Sequence, residues 1–311
     1  MPRPLFKIGS RASLLARTQA LWVQAALKRN FPRLKFELVL VRTEGDRNLA
    51  PFDQVGTKGM FTRAIDEKLV RGAVDLAVHS LKDLPAELPE GVVLACVPRR
   101  EDPRDALVSL AGEVDSLRGL AAGSRIGTSS PRRAAQIRAL RPDCAVTDVR
   151  GNLDTRLKKL EAREFECLVV ALAGLIRLKV RDRHVVPIPA DDMLPCPGQG
   201  ALGLTAREGD LEARELAGSI EDERSRLAAD AERSFLKALG GSCRLPCGAL
   251  AEVSKERIKM SGILLSTDGT KSYKACVESQ AAQAEEIGAR LKEELLNLGA
   301  GDVLPRETKA V

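Results

Sequence analysis

The chain has 311 residues, of which 44% are hydrophobic, 30% charged and 3% aromatic, and its formal net charge is +6. This composition is typical of a globular protein with two or three domains, and the scarcity of aromatic side chains argues against stacking platforms for single-stranded nucleic acid. No basic stretch leads into an apolar run at the N-terminus, and no run approaches the roughly 18 apolar residues of a membrane-spanning helix. We therefore expect neither a secretory signal nor a membrane span.

Strand-like and helical runs alternate through the first two thirds of the chain, which predicts an α/β fold with largely parallel sheets. In the first unit we expect strands at 5–10, 35–41 and 74–80 and helices at 13–30 and 60–72. A polar, proline-bearing stretch at 98–105 indicates a hinge. In the second unit we expect strand-like runs at 125–130, 144–150 and 167–175 and helices at 131–140 and 152–163.

A proline- and glycine-rich joint at 194–200 is followed by a single strand-like run at 201–207 that could cross back into the first unit. The region that opens at 239–248 has short strands first and a helix at 281–298 last. This order predicts a small α+β domain at the end of the chain.

Arginine is concentrated in the middle of the chain and sits at an unusual place. Residues 99–183 hold 18 basic and 12 acidic residues, and 15 of the basic ones are arginine. Ser130 and Pro131 suit a helix start, yet Arg132 and Arg133 follow at once, where the helix dipole disfavours a cation by roughly 0.3–1 kcal/mol. With the hydroxyls of Thr128 and Ser129 beside them, these arginines predict that an anion binds there.

Further arginines follow other predicted strands. Arg11, Arg150 and Arg177 each come shortly after one, and Arg156 lies one turn into the helix after Gly151 and Asn152. Open α/β sheets bind ligands at the carboxyl ends of their strands. The phosphate-loop and dinucleotide motifs are absent from the sequence, so several carboxylates fit as a ligand at least as well as phosphate. The alternative is a solvated basic face.

Lys82 and Asp83 stand side by side at the end of an apolar strand. Such a carboxylate facing a basic cleft could stabilise a developing cation or transfer a proton, and the alternative is a surface ion pair. We expect His79, in the same strand, to be structural and to satisfy backbone groups.

Seven cysteines occur without the spacing of a disulfide framework, which favours free thiols in a reducing cytosol. Cys243 follows two glycines and Ser242 and precedes Arg244. It is either packed inertly or a reactive thiolate, because nearby positive charge lowers a thiol pKa. Cys247 enters a strand and should pack in the core. No spacing indicates a zinc site, and we expect no metal.

Nine stretches, in order and spacing, resemble the porphobilinogen deaminase family, also called hydroxymethylbilane synthases. They are IGSRASLLARTQ (8–19), GTKGMFT (56–62), VDLAVHSLKDLP (74–85), REDPRDALVS (100–109), GTSSPRRAAQ (127–136), VRGNLDTRLKKL (149–160), ALAGLIRL (171–178), LPCPGQGALGL (194–204) and LGGSCRLPCGA (239–249). Gly240, Ser242 and Thr205 depart from residues common in the family, which affects local packing rather than the chemistry.

The resemblance implies an α/β fold of two domains like those of periplasmic binding proteins, flanking a cleft, with a small C-terminal α+β domain. The implied limits are 1–99 with 200–218, then 100–199, then 219–311. The implied enzyme is a transferase that joins four porphobilinogen molecules head to tail, releases ammonia, and frees hydroxymethylbilane by hydrolysis. A dipyrromethane cofactor would be held through a thioether to Cys243.

The resemblance also implies roles for individual residues. Asp83 and Lys82 would be catalytic, with Asp83 stabilising a cationic azafulvene. Cofactor contacts would come from Cys243, Lys82, Asp83, Thr128, Ser129, Ser130, Arg132, Arg133, Arg150 and Gly151. Substrate contacts would come from Arg11, Ser13, Gln19, Phe61, Arg150, Arg156, Ala173, Arg177 and Gln199.

Two other functions compete with this one. A non-catalytic two-domain anion-binding or sensor protein would explain the arginines but not Cys243. A nucleic-acid binder would follow from charge alone, but the few aromatic residues count against it. We expect a cytoplasmic monomer that acts on a small molecule, without nucleic acid or membrane.

Overall fold

The computed structural model describes residues 3–43, 62–110, 114–241 and 245–304. Its strands are β1 (Leu5–Arg11), β2 (Lys35–Val41), β3 (Leu76–Ser80), β4 (Val92–Cys96), β5 (Asp105–Ser109), β6 (Arg125–Gly127), β7 (Ala145–Thr147), β8 (Cys167–Ala171), β9 (His184–Pro187), β10 (Leu202–Arg207), β11 (Cys247–Ser254), β12 (Arg257–Leu265) and β13 (Ser272–Gln280). Its α-helices are α1 (Leu14–Asn30), α2 (Arg63–Val70), α3 (Pro131–Leu140), α4 (Leu153–Glu161), α5 (Leu172–Arg177), α6 (Leu211–Gly218), α7 (Glu223–Ala238) and α8 (Ile287–Asn297). None of the helices in these ranges is long and apolar enough to cross a membrane.

Two five-stranded sheets share one topology. The first has the order β2-β1-β3-β10-β4 and the second the order β7-β6-β8-β5-β9. In each, the first three strands are parallel, and the fourth runs antiparallel to both of its neighbours. The expectation of largely parallel sheets is thus corrected to mixed sheets.

The antiparallel strand of each sheet comes from the chain's passage between the two sheets. β5 follows β4 of the first sheet and enters the second, and β10 follows the second sheet and returns to the first, between β3 and β4. The single strand predicted at 201–207 therefore does cross back. β5 and β10, which each arrive from the other sheet, therefore run antiparallel to both of their neighbouring strands.

The apolar run 167–175 was expected to be one strand. It is instead a strand followed by a helix. β8 ends at Ala171, and α5 begins at once. A Cβ on Gly174 would come within 3.0 Å of the Leu153 side chain, so this turn of helix packs closely on α4. Periodicity cannot separate a buried strand from a buried helix in so short an apolar run. Likewise only Ala145–Thr147 pairs within the run expected at 144–150.

The core of the first sheet explains why α1 lies where it does. Ser13 caps the helix, its hydroxyl accepting from the backbone N–H of Ala16 at 3.4 Å. Ala20, Val23 and Leu27 then recur at helical spacing and are fully buried against the sheet. The predicted helix 13–30 is confirmed to within one residue.

The C-terminal region is a three-stranded antiparallel sheet, β11-β12-β13, packed against α7 and α8. A Cβ on Gly288 would come within 2.1 Å of the backbone nitrogen of Phe235, so the two helices can touch only because glycine stands there. The sequence pattern predicted the strands and a last helix, although the α-helix begins at Ile287 and not at 281. It missed α7, because the many charged residues of that helix obscure its buried face.

Candidate functional site

The two arginines at the start of α3 are balanced by the chain itself. Asp105, the fully buried first residue of β5, accepts from Arg132 Nη1 at 2.7 Å and from Arg133 Nε at 2.9 Å. Burial would raise the pKa of Asp105, but Arg132 and Arg133 outweigh burial and hold it well below its usual range. The sequence had predicted an arriving anion there. The structure places an internal carboxylate between them because two buried guanidinium groups need a partner whether or not a ligand is bound.

Gln199 connects this cluster to the predicted catalytic turn. Its Oε1 accepts from Lys82 Nζ at 3.1 Å and from Arg133 Nη2 at 3.2 Å. Its Nε2 donates to Asp105 Oδ1 at 2.8 Å and to the Pro103 carbonyl at 2.9 Å. These four contacts use the whole hydrogen-bonding capacity of a glutamine amide. Gln199 thus joins the turn after β3 of the first sheet to β5 of the second sheet. It also joins the two segments that cross between the sheets, 97–104 and 188–201, which we call the crossings.

Lys82 and Asp83 occupy a single 3-10 turn, Leu81–Asp83, directly after β3. Burial, and next the positive charge of Arg133, lower the pKa of the Lys82 ammonium. Two groups of opposite charge thus stand at the carboxyl end of a buried strand, as predicted, rather than as an exposed ion pair.

A small cavity opens beside this turn. Its polar lining residues are Arg11, Gln19, Thr62, His79, Ser80 and Asp83. Gln19 Nε2 donates to Ser80 Oγ at 3.1 Å, which fixes the amide at the wall. The cavity therefore brings together three predicted site residues from separate stretches of the chain, Arg11, Gln19 and Asp83.

His79 is buried, as expected, but the partner found for it within the described ranges is a side chain rather than a backbone group. His79 Nε2 lies 3.3 Å from the hydroxyl of Thr205 on the neighbouring strand β10. Burial, and next the charge of Arg11, lower the pKa of His79 to about 4. The ring is therefore neutral over the physiological range.

The other predicted site arginines of the second unit, Arg150, Arg156 and Arg177, are partly buried. Arg156 Nε donates to the Gly151 carbonyl at 2.8 Å, and Arg177 Nη2 donates to the Gly200 carbonyl at 2.7 Å. Burial lowers the pKa of each to about 10. Arg150 Nε donates to Asp148 Oδ2 at 2.9 Å.

Gly151 makes the predicted tight turn before α4. Its φ is 111°, and a Cβ there would come within 2.8 Å of the Thr155 side chain, so no other residue fits. Ser130 caps α3, its hydroxyl accepting from the backbone N–H of Arg133 at 3.4 Å. Thr128 Oγ1 accepts from the backbone N–H of Ser130 at 3.2 Å.

Other predicted residues are placed with less detail. Ser129 is partly buried at the end of the second sheet, and Ala173 is buried within α5. Cys247 is buried in the core, as expected. Cys243 and Phe61 lie outside the described residues. Within the described ranges there is no group of three or more histidine, cysteine, aspartate or glutamate side chains that could hold a metal ion.

Sequence reasoning missed a second buried carboxylate, Glu232 on α7. It accepts from both terminal nitrogens of Arg100, at 2.7 and 3.0 Å, and from the backbone N–H groups of Gly198 and Ala251, at 2.6 and 2.9 Å. These contacts join both crossings to the C-terminal sheet. In the sequence, Glu232 and Asp105 are each an acidic residue beside an apolar run. Such a pattern does not indicate which residue pairs with the carboxylate or whether it belongs to a site.

Comparison with known proteins agrees with the resemblance. A family model described as porphobilinogen deaminase, dipyromethane cofactor binding domain, matches residues 6–215, and one described as porphobilinogen deaminase, C-terminal domain, matches residues 226–297. Among solved structures, the second substrate-binding domain of Lactococcus lactis GlnP has a TM-score of 0.41 and 12% identity, covering 76% of this chain and 91% of that one. The BenM effector-binding domain with benzoate has a TM-score of 0.42 and 15% sequence identity, covering 70% of this chain and 91% of that one. These TM-scores are too low to support a conclusion.

Curated relatives match at nearly full length. The porphobilinogen deaminase of Pelotomaculum thermopropionicum is 44% identical over 301 residues, covering 96% of each chain. That of Syntrophotalea carbinolica is 44% identical over 305 residues, covering 98% of this chain and 96% of the relative, and that of Thermus thermophilus is 42% identical over 298, covering 96% and 97%. The chain belongs to the porphobilinogen deaminase family.

Proposed function

We propose that the Leu81–Asp83 turn and the lining of the small cavity beside it form part of the site that binds the porphobilinogen molecule that reacts. The observation that carries this proposal is the shared lining of Asp83, Arg11 and Gln19. Each pyrrole bears carboxylates, which suit the Arg11 guanidinium. Asp83 stands on the same wall and can accept from the pyrrole N–H.

In the reaction, loss of ammonia from porphobilinogen leaves a cationic azafulvene. The Asp83 carboxylate stabilises that cation, because a fixed negative charge in a partly buried site is worth more than in water. Asp83 also assists the proton transfers. Lys82 Nζ, with its lowered pKa, sits 3.1 Å from Gln199 Oε1 and can give up a proton nearer to neutral pH than a free lysine.

The residues at the start of α3 fit the dipyrromethane cofactor of the family. Asp105 is one negative charge against the positive charges of Arg132, Arg133 and Lys82, so the cluster stays able to bind carboxylates. The Nε of Arg132 is buried and has no hydrogen-bond partner within the described part of the chain. When bound, the dipyrromethane supplies the pyrrole carbon to which the first substrate joins.

Different residues would bind the cofactor and the pyrroles that are added to it. We assign the cofactor to Arg132, Arg133, Arg150, Gly151, Thr128, Ser129, Ser130, Lys82 and Asp83, with Cys243 as its covalent anchor. We assign the added pyrroles to Arg11, Ser13, Gln19, Phe61, Arg150, Arg156, Ala173, Arg177 and Gln199. Because the amide of Gln199 is fully engaged within the chain, its contribution would need those internal bonds to rearrange.

We further propose three domains with the limits 1–99 with 200–218, 100–199, and 219–311. Support comes from the three separate sheets and from β10, which lies in the first sheet. We place the enzyme in the cytoplasm as a monomer acting on porphobilinogen, without nucleic acid or membrane. The six described cysteines are free thiols, which suits a reducing compartment.

Intact-mass measurement tests the proposal. The purified enzyme should exceed its sequence mass by two porphobilinogens less two ammonia, and brief exposure to porphobilinogen should add further pyrrole units. Cys243→Ser should lack the first increment, whereas the matched change Cys247→Ser should keep it. A wild-type protein without the increment, or an increment that survives Cys243→Ser, would contradict the assignment.

A further inference from the structure

The turn between β12 and β13, residues 266–271, is held in shape by its own side chains. Asp268 Oδ1 accepts from the hydroxyl and the backbone N–H of Thr270, at 2.9 and 3.1 Å, and also from the hydroxyl of Ser266. Ser266 Oγ accepts in turn from the backbone N–H of Lys271 at 2.9 Å. The turn therefore projects from the C-terminal sheet with a fixed shape.

The tip of this turn lies against the backbone of α3, the helix that bears the two paired arginines. Gly269 has a φ of 76°, and a Cβ there would come within 2.6 Å of the Ala135 carbonyl oxygen and 2.9 Å of the Ala139 backbone nitrogen. These are backbone atoms, which cannot move aside unless the helix moves with them. The turn thus approaches α3 as closely as it does because glycine stands at its tip.

Side chains add to this contact between the C-terminal sheet and α3. Arg138 Nη1 donates to the Thr267 carbonyl at 2.8 Å. Ile263 and Leu265, near the end of β12, pack with Ala135 in one buried apolar cluster. The position of α3 is therefore fixed by the C-terminal sheet as well as by the second sheet.

The place of this contact along α3 matters for the proposed cofactor site. Ala135 lies within one helical turn of Arg132 and Arg133. A displaced α3 would carry these guanidinium groups with it or break their bonds to Asp105. Cys243, the proposed covalent anchor, falls within the match to the C-terminal domain of the family. A cofactor attached to one domain and bound by its carboxylates in another requires a set distance between the two.

We propose that Gly269 is a positioning residue, which sets the distance between the arginines of α3 that bind the cofactor and the C-terminal domain that anchors it. The inference rests on the proposed function of those arginines and of Cys243. Gly269 would act through the backbone of α3 rather than by contact with the cofactor.

The intact mass of the purified enzyme tests this inference, because it gives the fraction of molecules that carry the cofactor. Gly269→Ala adds a methyl group that meets the backbone of α3. We expect the cofactor-bearing fraction to fall roughly twofold or more, since a misplacement of about 1 Å can slow a reaction about 100-fold. Arg138→Gln, which loses the bond to the Thr267 carbonyl without adding volume, should lower the fraction less but in the same direction.

Two matched glycines separate positioning from loss of stability. Gly299→Ala, at a φ of 98° in the same region of the chain, imposes similar backbone strain, and its Cβ would come no closer than 3.5 Å to Tyr273. Gly262→Ala would place a Cβ within 2.6 Å of Leu291 Cδ2, where β12 packs on α8 rather than on α3. Both should lower the urea midpoint and still keep the cofactor-bearing fraction of the wild type.

Each outcome decides the proposal. An equal loss of cofactor in Gly262→Ala or Gly299→Ala would overturn it, because instability of the C-terminal region would then be enough. A full cofactor-bearing fraction in Gly269→Ala, or in Arg138→Gln if the first variant does not fold, would overturn the role of Gly269. With a wild-type enzyme that carries the mass increment, that result would leave the proposed function standing. A wild-type enzyme without the increment would overturn both.

Discussion

Two buried aspartates, one beside each five-stranded sheet, show opposite solutions to the same physical problem. Asp105 in the second sheet accepts from Arg132, Arg133 and Gln199, and these partners hold its pKa well below the usual range. Asp66 on α2, beside the first sheet, has the Thr62 side chain as a hydrogen-bond partner, but burial outweighs that bond and raises the pKa of Asp66 to about 6. Charge pairing with arginine dominates at the carboxylate of the second sheet, whereas burial dominates at the carboxylate beside the first sheet.

The same contrast extends to the site residues around them. The start of α3 is held by bonds that exist before any ligand arrives, so its geometry is preorganised. The cavity of the first sheet instead is lined by Asp83, which is only partly buried. Under the proposed function, the cofactor would thus bind at the preorganised start of α3. The substrate would react at the cavity beside the first sheet.

The largest effect should come from removing the Asp83 carboxylate at the cavity beside the first sheet. Asp83→Asn keeps the shape and deletes the charge, so turnover of porphobilinogen should fall by about 10²–10⁴-fold. The urea midpoint should hardly move, because Asp83 is only partly buried. Rates of product formation measure the effect. The control is Glu87→Gln, an exposed carboxylate four residues on that should turn over normally, and near-normal turnover in Asp83→Asn would rule out its role.

A smaller but still large effect should follow from breaking the preorganised cluster. Asp105→Asn leaves two buried guanidinium groups without their counter-charge, which typically costs about 3–5 kcal/mol of unfolding free energy. Urea unfolding followed by circular dichroism measures it. The control is Asp102→Asn, whose partner Arg104 is 42% exposed, so the loss should stay below about 1 kcal/mol. Equal losses in the two variants would mean that the buried cluster is no more than a surface pair.

The smallest effect tests the buried aspartate of α2 through pH. The raised pKa of Asp66 means that the folded state keeps a proton which the unfolded state has already released. The contribution of Asp66 to stability therefore declines as pH rises from about 4 to about 6, and stays low above that. Asp66→Asn lacks this loss, so near pH 7.5 it should be more stable than wild type by about 1–3 kcal/mol.

Urea titrations at pH 4 and pH 7.5 check the sign, because the advantage of Asp66→Asn should nearly vanish at the lower value. The matched change is Glu67→Gln, the next residue, which is half exposed and paired with Arg63. It should show no such pH-dependent gain. An advantage for Asp66→Asn that is equal at both pH values would contradict the assignment.

The contrast also marks how far sequence reasoning reaches. Local signals predicted α1, the helix start that bears Arg132 and Arg133, and the Lys82–Asp83 pair after a buried strand, and the structure has all three. Each depends on residues within a few positions of one another. The fold class followed from the alternation of elements, although the antiparallel fourth strand of each sheet did not.

Partners distant in sequence could not be predicted. Asp105 meets Arg132 across 27 residues and Gln199 across 94, and Glu232 meets Arg100 across 132. No local pattern encodes such a pairing, because it arises only when both crossings bring the sheets together.

The return of β10 into the first sheet has a consequence for how the protein is made. β3 and β4 both flank β10 and do not pair with each other, so the first sheet remains split until Leu202–Arg207 has left the ribosome. By then the entire second sheet has been synthesised. The N-terminal unit, although translated first, cannot finish folding first, and a nascent chain halted before residue 202 would expose β3 and β4 edges prone to mispairing.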